Sequence, residues 1–284
     1  MNVLITGGGG FAGCNLIEYF AERGHHVTGI FRNTKIKAKA PCTLIKKDLS
    51  KRIEIDDSFD AIIHTACAPV GDFQTCHQDN IDSMQNLISF AREKGVRTII
   101  NFSTRSIYGE VRENEVFENT DIINPNYYGM SKYAAECLLR DAHDINGISI
   151  RLPGIAGPGA HNIWLTATVE KFIRNEPVVI SDFFTKNFVW IFDIASFIEK
   201  LIFTSMKGQK FKYHTMNLAC RDGARNIDIA EEIKRYTKSK SKITVIPPGN
   251  NLFILRADKA FEMGFVPHTT MEIVRLYLDT LDIR

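Results

Sequence analysis

The sequence has no excess of charge of either sign, because 35 basic residues face 33 acidic ones and the net charge is +2. Such a balance gives no electrostatic reason to expect a nucleic-acid partner. Long apolar runs are also missing. The longest uncharged stretch, 152–169, contains two prolines, three glycines, a histidine and an asparagine, so no membrane-spanning helix is expected.

The cysteines lack the spacing of a metal site. They are Cys14, Cys42, Cys67, Cys76, Cys137 and Cys220. No two of them form a C-x-x-C pair, and none pairs with histidine at a zinc-binding spacing, so we expect no metal. The chain also begins without a charged and then apolar targeting segment. We therefore expect a cytoplasmic protein with reduced thiols.

Apolar strands alternate with segments of helical spacing over the first 150 residues. The predicted strands cover 3–6, 26–31, 43–46, 61–65, 98–102 and 148–152, and the predicted helices cover 11–23, 80–94 and 127–143. Alternation of this kind favours a parallel sheet with helices on both faces. The sequence therefore predicts an α/β protein with a Rossmann-type doubly wound parallel sheet.

The alternation breaks after residue 152, at prolines and glycines. Beyond this point we predict helices over 164–174, 194–205, 226–236 and 269–281, with strands over 188–192, 216–219 and 243–246. We expect a cofactor-binding Rossmann domain over 1–160, to which the chain returns around 187–220. A smaller C-terminal α/β substrate lobe is then expected over 161–284.

A glycine-rich turn lies between the first predicted strand and the first predicted helix. Gly7, Gly10 and Gly13 have the spacing that tightens such a turn and lets the backbone approach a pyrophosphate. The following helix begins near Phe11, and its N-terminus offers unpaired N–H groups to phosphate oxygens. The position of the motif between strand and helix predicts a dinucleotide site.

The second predicted strand ends at Arg32, where NAD-binding chains usually carry an acidic residue. A cation there suits the 2′-phosphate of NADP, so we predict NADP as first choice and NAD as second. A run of basic residues surrounds Asp48 and adds to this field: Arg32, Lys35, Lys37, Lys39, Lys46, Lys47, Lys51 and Arg52. Two alternatives to an NADP site remain. The basic run is a solvated face, or Arg32 is exposed beside a site that does not discriminate between NAD and NADP.

Tyr128 and Lys132 are four residues apart in a predicted helix and so share one of its faces. Tyrosine has an ordinary pKa near 10, and acting as a base at neutral pH needs a shift of about three units, or roughly 4 kcal/mol. A neighbouring ammonium group and a positively charged nicotinamide ring both favour the phenolate. Beside a dinucleotide site, this pair therefore predicts acid–base chemistry.

Several short motifs together resemble one known family. They are the glycines of 7–13, Asp48-Leu49, His64-Thr65-Ala66, Thr104 ahead of Tyr108-Gly109, and Tyr128 with Lys132. The set resembles the extended short-chain dehydrogenase/reductases, in their nucleotide-sugar epimerase/dehydratase branch. The resemblance is specific for 1–159 and looser beyond.

The resemblance implies a role for each matching residue. Tyr128 would be the general acid/base, and Lys132 would lower its pKa and bind the nicotinamide ribose. Thr104 would hydrogen-bond the reacting oxygen of the substrate. The remaining residues expected to line the cofactor site are Gly7, Gly10, Phe11, Gly13, Arg32, Asp48, Leu49, Ala66 and Pro153.

The chain also departs from the family pattern. Arg105-Ser106 stands where dehydratases of this branch carry Asp-Glu, so we set a dehydratase aside. Gly154 occupies the place of an asparagine that touches the nucleotide phosphates in relatives. Lys186 replaces a pyrophosphate-binding arginine, as a point charge without the bidentate fork, and Arg256 is a further candidate for a phosphate contact.

We therefore expect a NAD(P)-dependent enzyme that transfers a hydride at a sugar carbon of a nucleotide sugar, most simply C4. A 4-ketoreductase and a 4-epimerase both remain open, as do a reductase of a small non-nucleotide carbonyl compound and a non-catalytic NADP sensor. The resemblance also implies a homodimer, built from the helices predicted over 80–94 and 127–143. Met130, Ala134 and Leu138 would supply its apolar stripe.

Overall fold

The computed structural model describes residues 1–34, 39–67, 72–181, 183, 188–247 and 253–282. In chain order the strands are β1 (Asn2–Thr6), β2 (His26–Phe31), β3 (Thr43–Lys46), β4 (Ala61–His64), β5 (Thr98–Thr104), β6 (Glu115–Val116), β7 (Asn146–Leu152), β8 (Gly154–Ala156), β9 (Val178–Ser181), β10 (Phe188–Trp190), β11 (Thr215–Asn217), β12 (Ile243–Ile246) and β13 (Ile254–Leu255). The helices are α1 (Phe11–Glu22), α2 (Phe73–Cys76), α3 (Ser83–Lys94), α4 (Tyr127–Asp141), α5 (Trp164–Ile173), α6 (Ile191–Met206), α7 (Asn226–Thr237), α8 (Asp258–Glu262) and α9 (Thr270–Asp279). A π-helical segment at His77–Asp82 joins α2 to α3, and a 3₁₀ turn at Arg105–Tyr108 follows β5.

Seven of the described strands form one sheet, in the order β11-β7-β5-β4-β1-β2-β3. Every neighbouring pair in it is parallel. The order reverses around β1, because the chain winds outward first through β2 and β3 and then through β4, β5 and β7. In open α/β sheets, ligands bind at this reversal, beyond the carboxyl ends of the strands. The predicted fold class is confirmed.

Alternate residues of β1 enter different cores because successive side chains of a strand point to opposite faces. Val3 and Ile5 pack in a cluster with α1 and α6, whereas Leu4 packs in a second cluster with α3 and α4. Both faces of the sheet are thus covered. Residues 3–6 are consequently fully buried, and the only polar member, Thr6, ends the strand at the cleft described below.

A third apolar cluster lies in the C-terminal half and joins α5, α7 and α9 to the short parallel pairs β10–β8 and β12–β9. The chain also returns to the main sheet within this half. β11 pairs with β7, and α6 packs against α1. The division into domains at residue 160 stays a prediction.

Several predicted boundaries shift by two or more residues in the structure. The helix predicted over 80–94 starts earlier, because Asp72 caps α2 by accepting a hydrogen bond from the Thr75 amide at 2.8 Å and the helical path continues through the π-helical segment. The strand predicted over 188–192 ends at Trp190, where α6 begins. The sequence Thr269-x-x-Glu272 also predicts a capping box at the start of the last helix. The structure confirms it at the start of α9. None of the helices in the described part of the chain combines the length and the apolar character that a membrane span requires.

Candidate active site

A cleft of about 430 Å³ opens at the carboxyl edge of the sheet, beside the reversal at β1. Eight of the predicted cofactor-binding residues line it: Gly7, Gly10, Phe11, Gly13, Arg32, Asp48, Leu49 and Ala66. They come from the ends of β1, β2, β3 and β4, which the parallel sheet brings to one edge. The other predicted cofactor-binding residues, Tyr128, Lys132 and Pro153, are not among the residues that line this cleft.

The glycine turn has no room for side chains. Gly7 has a φ of +71°, and a Cβ there would lie 2.6 Å from the Ala66 amide nitrogen. A Cβ on Gly13 would overlap the carbonyl of Gly7, so the first turn of α1 passes directly over β1. Gly10 precedes α1 and supplies no side-chain cap, which leaves the amide groups of the first helical turn facing the cleft. These features fit a dinucleotide pyrophosphate.

Arg32 lies in the cleft as predicted, but its guanidinium is already paired. Its two terminal nitrogens donate to the two carboxylate oxygens of Asp79 at 2.5 and 2.9 Å. Asp79 belongs to the π-helical segment and also lines the cleft. Sequence reasoning missed this carboxylate because 47 residues separate the partners and Asp79 belongs to no recognisable motif.

The loop after β3 is held by its own hydrogen bonds. The Asp48 carboxylate accepts from the Ser50 amide at 3.0 Å and from the Ser50 hydroxyl at 2.9 Å. Leu49 is buried, and its carbonyl accepts from the Asn86 side chain at 2.8 Å. Asp48 and Leu49 are therefore fixed at the cleft wall, where the resemblance assigns them to adenine. The neighbouring Lys35 and Lys37 lie outside the described residues.

Tyr128 lies in the first turn of α4, half-buried, with its phenol within reach of the Thr104 side chain at the end of β5. The helix begins there because Asn126 accepts a hydrogen bond from the Gly129 amide at 2.8 Å. Lys132 is one turn further along and is buried. The structure thus brings together the three residues predicted to be catalytic.

Close packing sets the position of α4 against the sheet edge. A Cβ on Gly129 would overlap the Ser106 carbonyl of the 3₁₀ turn, so only glycine permits this approach. On the other side, Asn80 donates to the Ser131 hydroxyl at 2.8 Å, and that hydroxyl donates to the Tyr128 carbonyl at 2.9 Å. Tyr128 is held between the two elements.

The electrostatics of the site follow from burial. Burial raises the pKa of Tyr128 above its ordinary value, the nearby Cys67 thiol raises it further, and the hydrogen bond with Thr104 lowers it. Burial lowers the pKa of Lys132, against opposing effects of Cys67 and Glu136. Cys67 also lines the cleft, so this residue lies near both Tyr128 and the cleft that contains the glycine turn. The predicted lowering of the Tyr128 pKa by Lys132 stays a prediction.

The predicted phosphate-binding cations lie elsewhere or outside the described residues. Arg256 donates to Glu115 at 3.0 Å and to Asp258 at 3.1 Å, so its guanidinium already has two carboxylate partners. Lys186 lies outside the described residues. Gly154 begins β8, next to the Phe188 and Ile163 side chains. Within the described part of the chain, no group of three or more His, Cys, Asp or Glu residues could hold a metal ion.

Residues 3–219, well over half of the chain, match the NAD dependent epimerase/dehydratase family. The chain belongs to this family. The predicted resemblance is confirmed, and with it the expectation of an enzyme family that uses a nicotinamide dinucleotide.

Individual proteins support the same assignment. The chain is 31% identical over 203 residues to the D-erythronate dehydrogenase of Cupriavidus necator, covering 63% of this chain and 62% of that one. It is 29% identical over 172 residues to an uncharacterised UDP-glucose epimerase, YtcB, of Bacillus subtilis, covering 53% and 54%. The matches thus span between half and two thirds of these relatives.

The similarity of fold to one solved structure covers nearly all of both chains. Bordetella bronchiseptica WbmG, in complex with NAD and UDP, matches 99% of this chain and 94% of its own, with a TM-score of 0.83 at 20% identity. At this level of identity the match establishes the fold.

Proposed function

We propose that this family member is a NAD(P)-dependent 4-epimerase of a nucleotide sugar, with Tyr128 as its general acid/base. One observation carries the proposal: the Tyr128 phenol lies close to the Thr104 side chain, beside buried Lys132 and the dinucleotide cleft. A polar group so placed beside a hydride-carrying cofactor suits the interconversion of an alcohol and a carbonyl. The match to WbmG, solved with NAD and UDP, supports both ligands.

The residues divide the chemistry between them. A nicotinamide ring bound in the cleft would supply the hydride acceptor at the sugar carbon. Tyr128 takes the hydroxyl proton as the carbonyl forms, and returns it when the carbonyl is reduced on its other face. Thr104 hydrogen-bonds the reacting oxygen. Lys132 places a positive charge near the phenol, and this charge favours the phenolate.

Pairing of Arg32 with Asp79 bears on the choice between epimerase and ketoreductase. A net reduction draws on NADPH, and the predicted preference for NADP rested on a free Arg32. The two hydrogen bonds to Asp79 occupy that guanidinium. We therefore place the 4-epimerase ahead of the 4-ketoreductase. The preference for NADP stays a prediction from sequence.

A reductase or dehydrogenase of a small non-nucleotide compound is the second candidate. The D-erythronate dehydrogenase matches at 31% identity, above the epimerase YtcB. Gly154 in place of the phosphate-contacting asparagine, and the carboxylate partners of Arg256, both remove expected nucleotide contacts. A non-catalytic sensor is disfavoured because Tyr128, Lys132 and Thr104 are all in place.

The test is turnover of UDP-glucose, UDP-N-acetylglucosamine and D-erythronate by the purified protein with added NAD. Epimerisation without accumulation of NADH supports the first candidate, and NADH formation from D-erythronate alone supports the second. Tyr128→Phe should lower either turnover by about 10²–10⁴-fold and leave cofactor affinity within severalfold.

Tyr133→Phe on the same helix is the matched control and should keep wild-type turnover. Turnover by Tyr128→Phe at the wild-type rate would contradict the assignment of the acid/base.

We also propose a homodimer that pairs α3 and α4 of two subunits. Tyr127 and Phe73 lie in edge contact with ring centroids 5.8 Å apart, and both are more than half exposed. Met130, one turn along α4, is also exposed. Large exposed apolar groups that adjoin one another are typical of interfaces. The cytoplasmic location stays a prediction.

A further inference from the structure

We propose that Asp79 makes the cleft select NAD over NADP, by supplying from the π-helical segment the carboxylate that the end of β2 lacks. The inference rests on the proposed use of the cleft for a dinucleotide but not on the sugar reaction. NAD-binding chains of this fold usually place an acid at the end of the second strand to accept hydrogen bonds from the adenosine ribose. Here Arg32 has that place, and Asp79 lies directly against it.

The geometry of the pair removes Arg32 as a free phosphate ligand. Both terminal nitrogens of Arg32 donate to Asp79, at 2.5 and 2.9 Å, which is the bidentate arrangement that a phosphate would otherwise take. The Asp79 side chain is 11% exposed and that of Arg32 is 50% exposed. The carboxylate is therefore the better-anchored partner, and the arginine is the one that faces solvent.

The charges along the described wall of the cleft also balance. The cations that line it are Arg32 and Lys47, and the carboxylates are Asp48 and Asp79. A 2′-phosphate carries nearly two negative charges and would have to take Arg32 from Asp79 while lying beside that carboxylate. A ribose hydroxyl, by contrast, donates to a carboxylate without breaking the pair. The unphosphorylated cofactor is therefore favoured.

The experiment is calorimetric titration of NADH and of NADPH into the purified protein, at a fixed salt concentration and without any sugar. The wild type should bind NADH at least tenfold more tightly than NADPH. Asp79→Asn frees Arg32 and should tighten NADPH binding by at least tenfold, because a charge-assisted hydrogen bond is worth about that factor or more. NADH binding should weaken severalfold.

A double variant and a matched control identify the cause. Arg32→Ala combined with Asp79→Asn should lose the gain in NADPH affinity, since the freed guanidinium is gone. Asp82→Asn is the control: it removes a carboxylate from the same π-helical segment, but one that pairs with His77 at 3.3 Å. It should leave the preference unchanged. Asp79→Ser replaces Asp79→Asn if the latter does not fold.

Three results would overturn the inference. They are a wild type that binds NADPH as tightly as NADH, an Asp79→Asn preference within twofold of the wild type, and a gain that survives in the double variant. Because the readout is cofactor affinity alone, failure of the proposed sugar chemistry leaves this result interpretable. Loss of binding of both cofactors in the wild type would instead contradict the dinucleotide site itself.

Discussion

At the scale of single residues, His64 illustrates how burial sets the protonation state of this site. It ends β4 and is buried, with its Nδ1 atom 2.7 Å from the Thr6 hydroxyl. Its Nε2 atom has no hydrogen-bond partner among the described residues. Burial first, and then the charge of Lys132, lower the pKa of His64 to about 3. The ring is therefore neutral in the folded protein at neutral pH.

We predict that His64 makes the folded state less stable in acid. The pKa of His64 in the unfolded chain is about 6.5. Below that pH the imidazole binds a proton in the unfolded chain but stays neutral in the folded protein. Folding stability thus falls as the pH falls from 6.5 towards 3. Between pH 7 and pH 5 the loss from this residue should be about 2 kcal/mol. Urea denaturation at both pH values measures it.

His64→Gln should remove this part of the pH dependence. The exposed His26 offers the control, since His26→Gln should keep the wild-type slope. An identical slope in wild type and His64→Gln would show that His64 is not the group responsible.

At the scale of elements, a buried ion pair connects α4 to the sheet. Arg151 of β7 donates to the Glu136 carboxylate at 2.8 Å, and the two side chains are 5% and 4% exposed. Arg151 also donates to the Tyr108 hydroxyl at 2.9 Å, and that hydroxyl donates to Asn217 of β11 at 2.8 Å. Glu136 is one turn beyond Lys132, so the network fixes the helix that carries the catalytic pair.

We predict that Glu136→Gln lowers the free energy of unfolding by about 3–5 kcal/mol, because it leaves the Arg151 charge buried without a counter-charge. Urea denaturation measures the change. Asp144→Asn is the control, since the Arg92–Asp144 pair is more than half exposed on both sides. That variant should lose far less stability than Glu136→Gln, because water and salt screen an exposed pair. Equal losses in the two variants would refute the role given to burial.

At the scale of the whole molecule, the exposed apolar surface around the start of α4 predicts association. Met130 is 49% exposed and lies one turn along α4 from Tyr127, which is itself in edge contact with the exposed Phe73. Association would bury this patch, and α3 and α4 of two subunits would form a four-helix bundle. The catalytic helix would then also lie at the subunit interface.

We predict a dimer at micromolar concentration by light scattering, and a monomer for Met130→Glu, because a buried unpaired carboxylate is costly. Met206→Glu introduces the same change at the end of α6 and should remain dimeric. A monomeric wild type at that concentration would rule out the proposed interface.

The sequence by itself determined the parallel sheet, the glycine turn and the placing of Tyr128 and Lys132 on one helix face. These features depend on the periodicity of strands and helices and on the space around the backbone at Gly7 and Gly13. Residues close in sequence determine both. The same local reasoning located the last helix through the capping box of Thr269.

Only the tertiary structure decided which charges meet. Arg32 has the position of a phosphate ligand in sequence, yet Asp79 pairs with it after the π-helical segment folds against the end of β2. Arg256 likewise pairs with Glu115, which is 141 residues away. Periodicity states which face of an element is buried, but not which side chain of a distant element lies opposite a given charge. Pairing between elements depends on how they pack, and that depends on the whole chain.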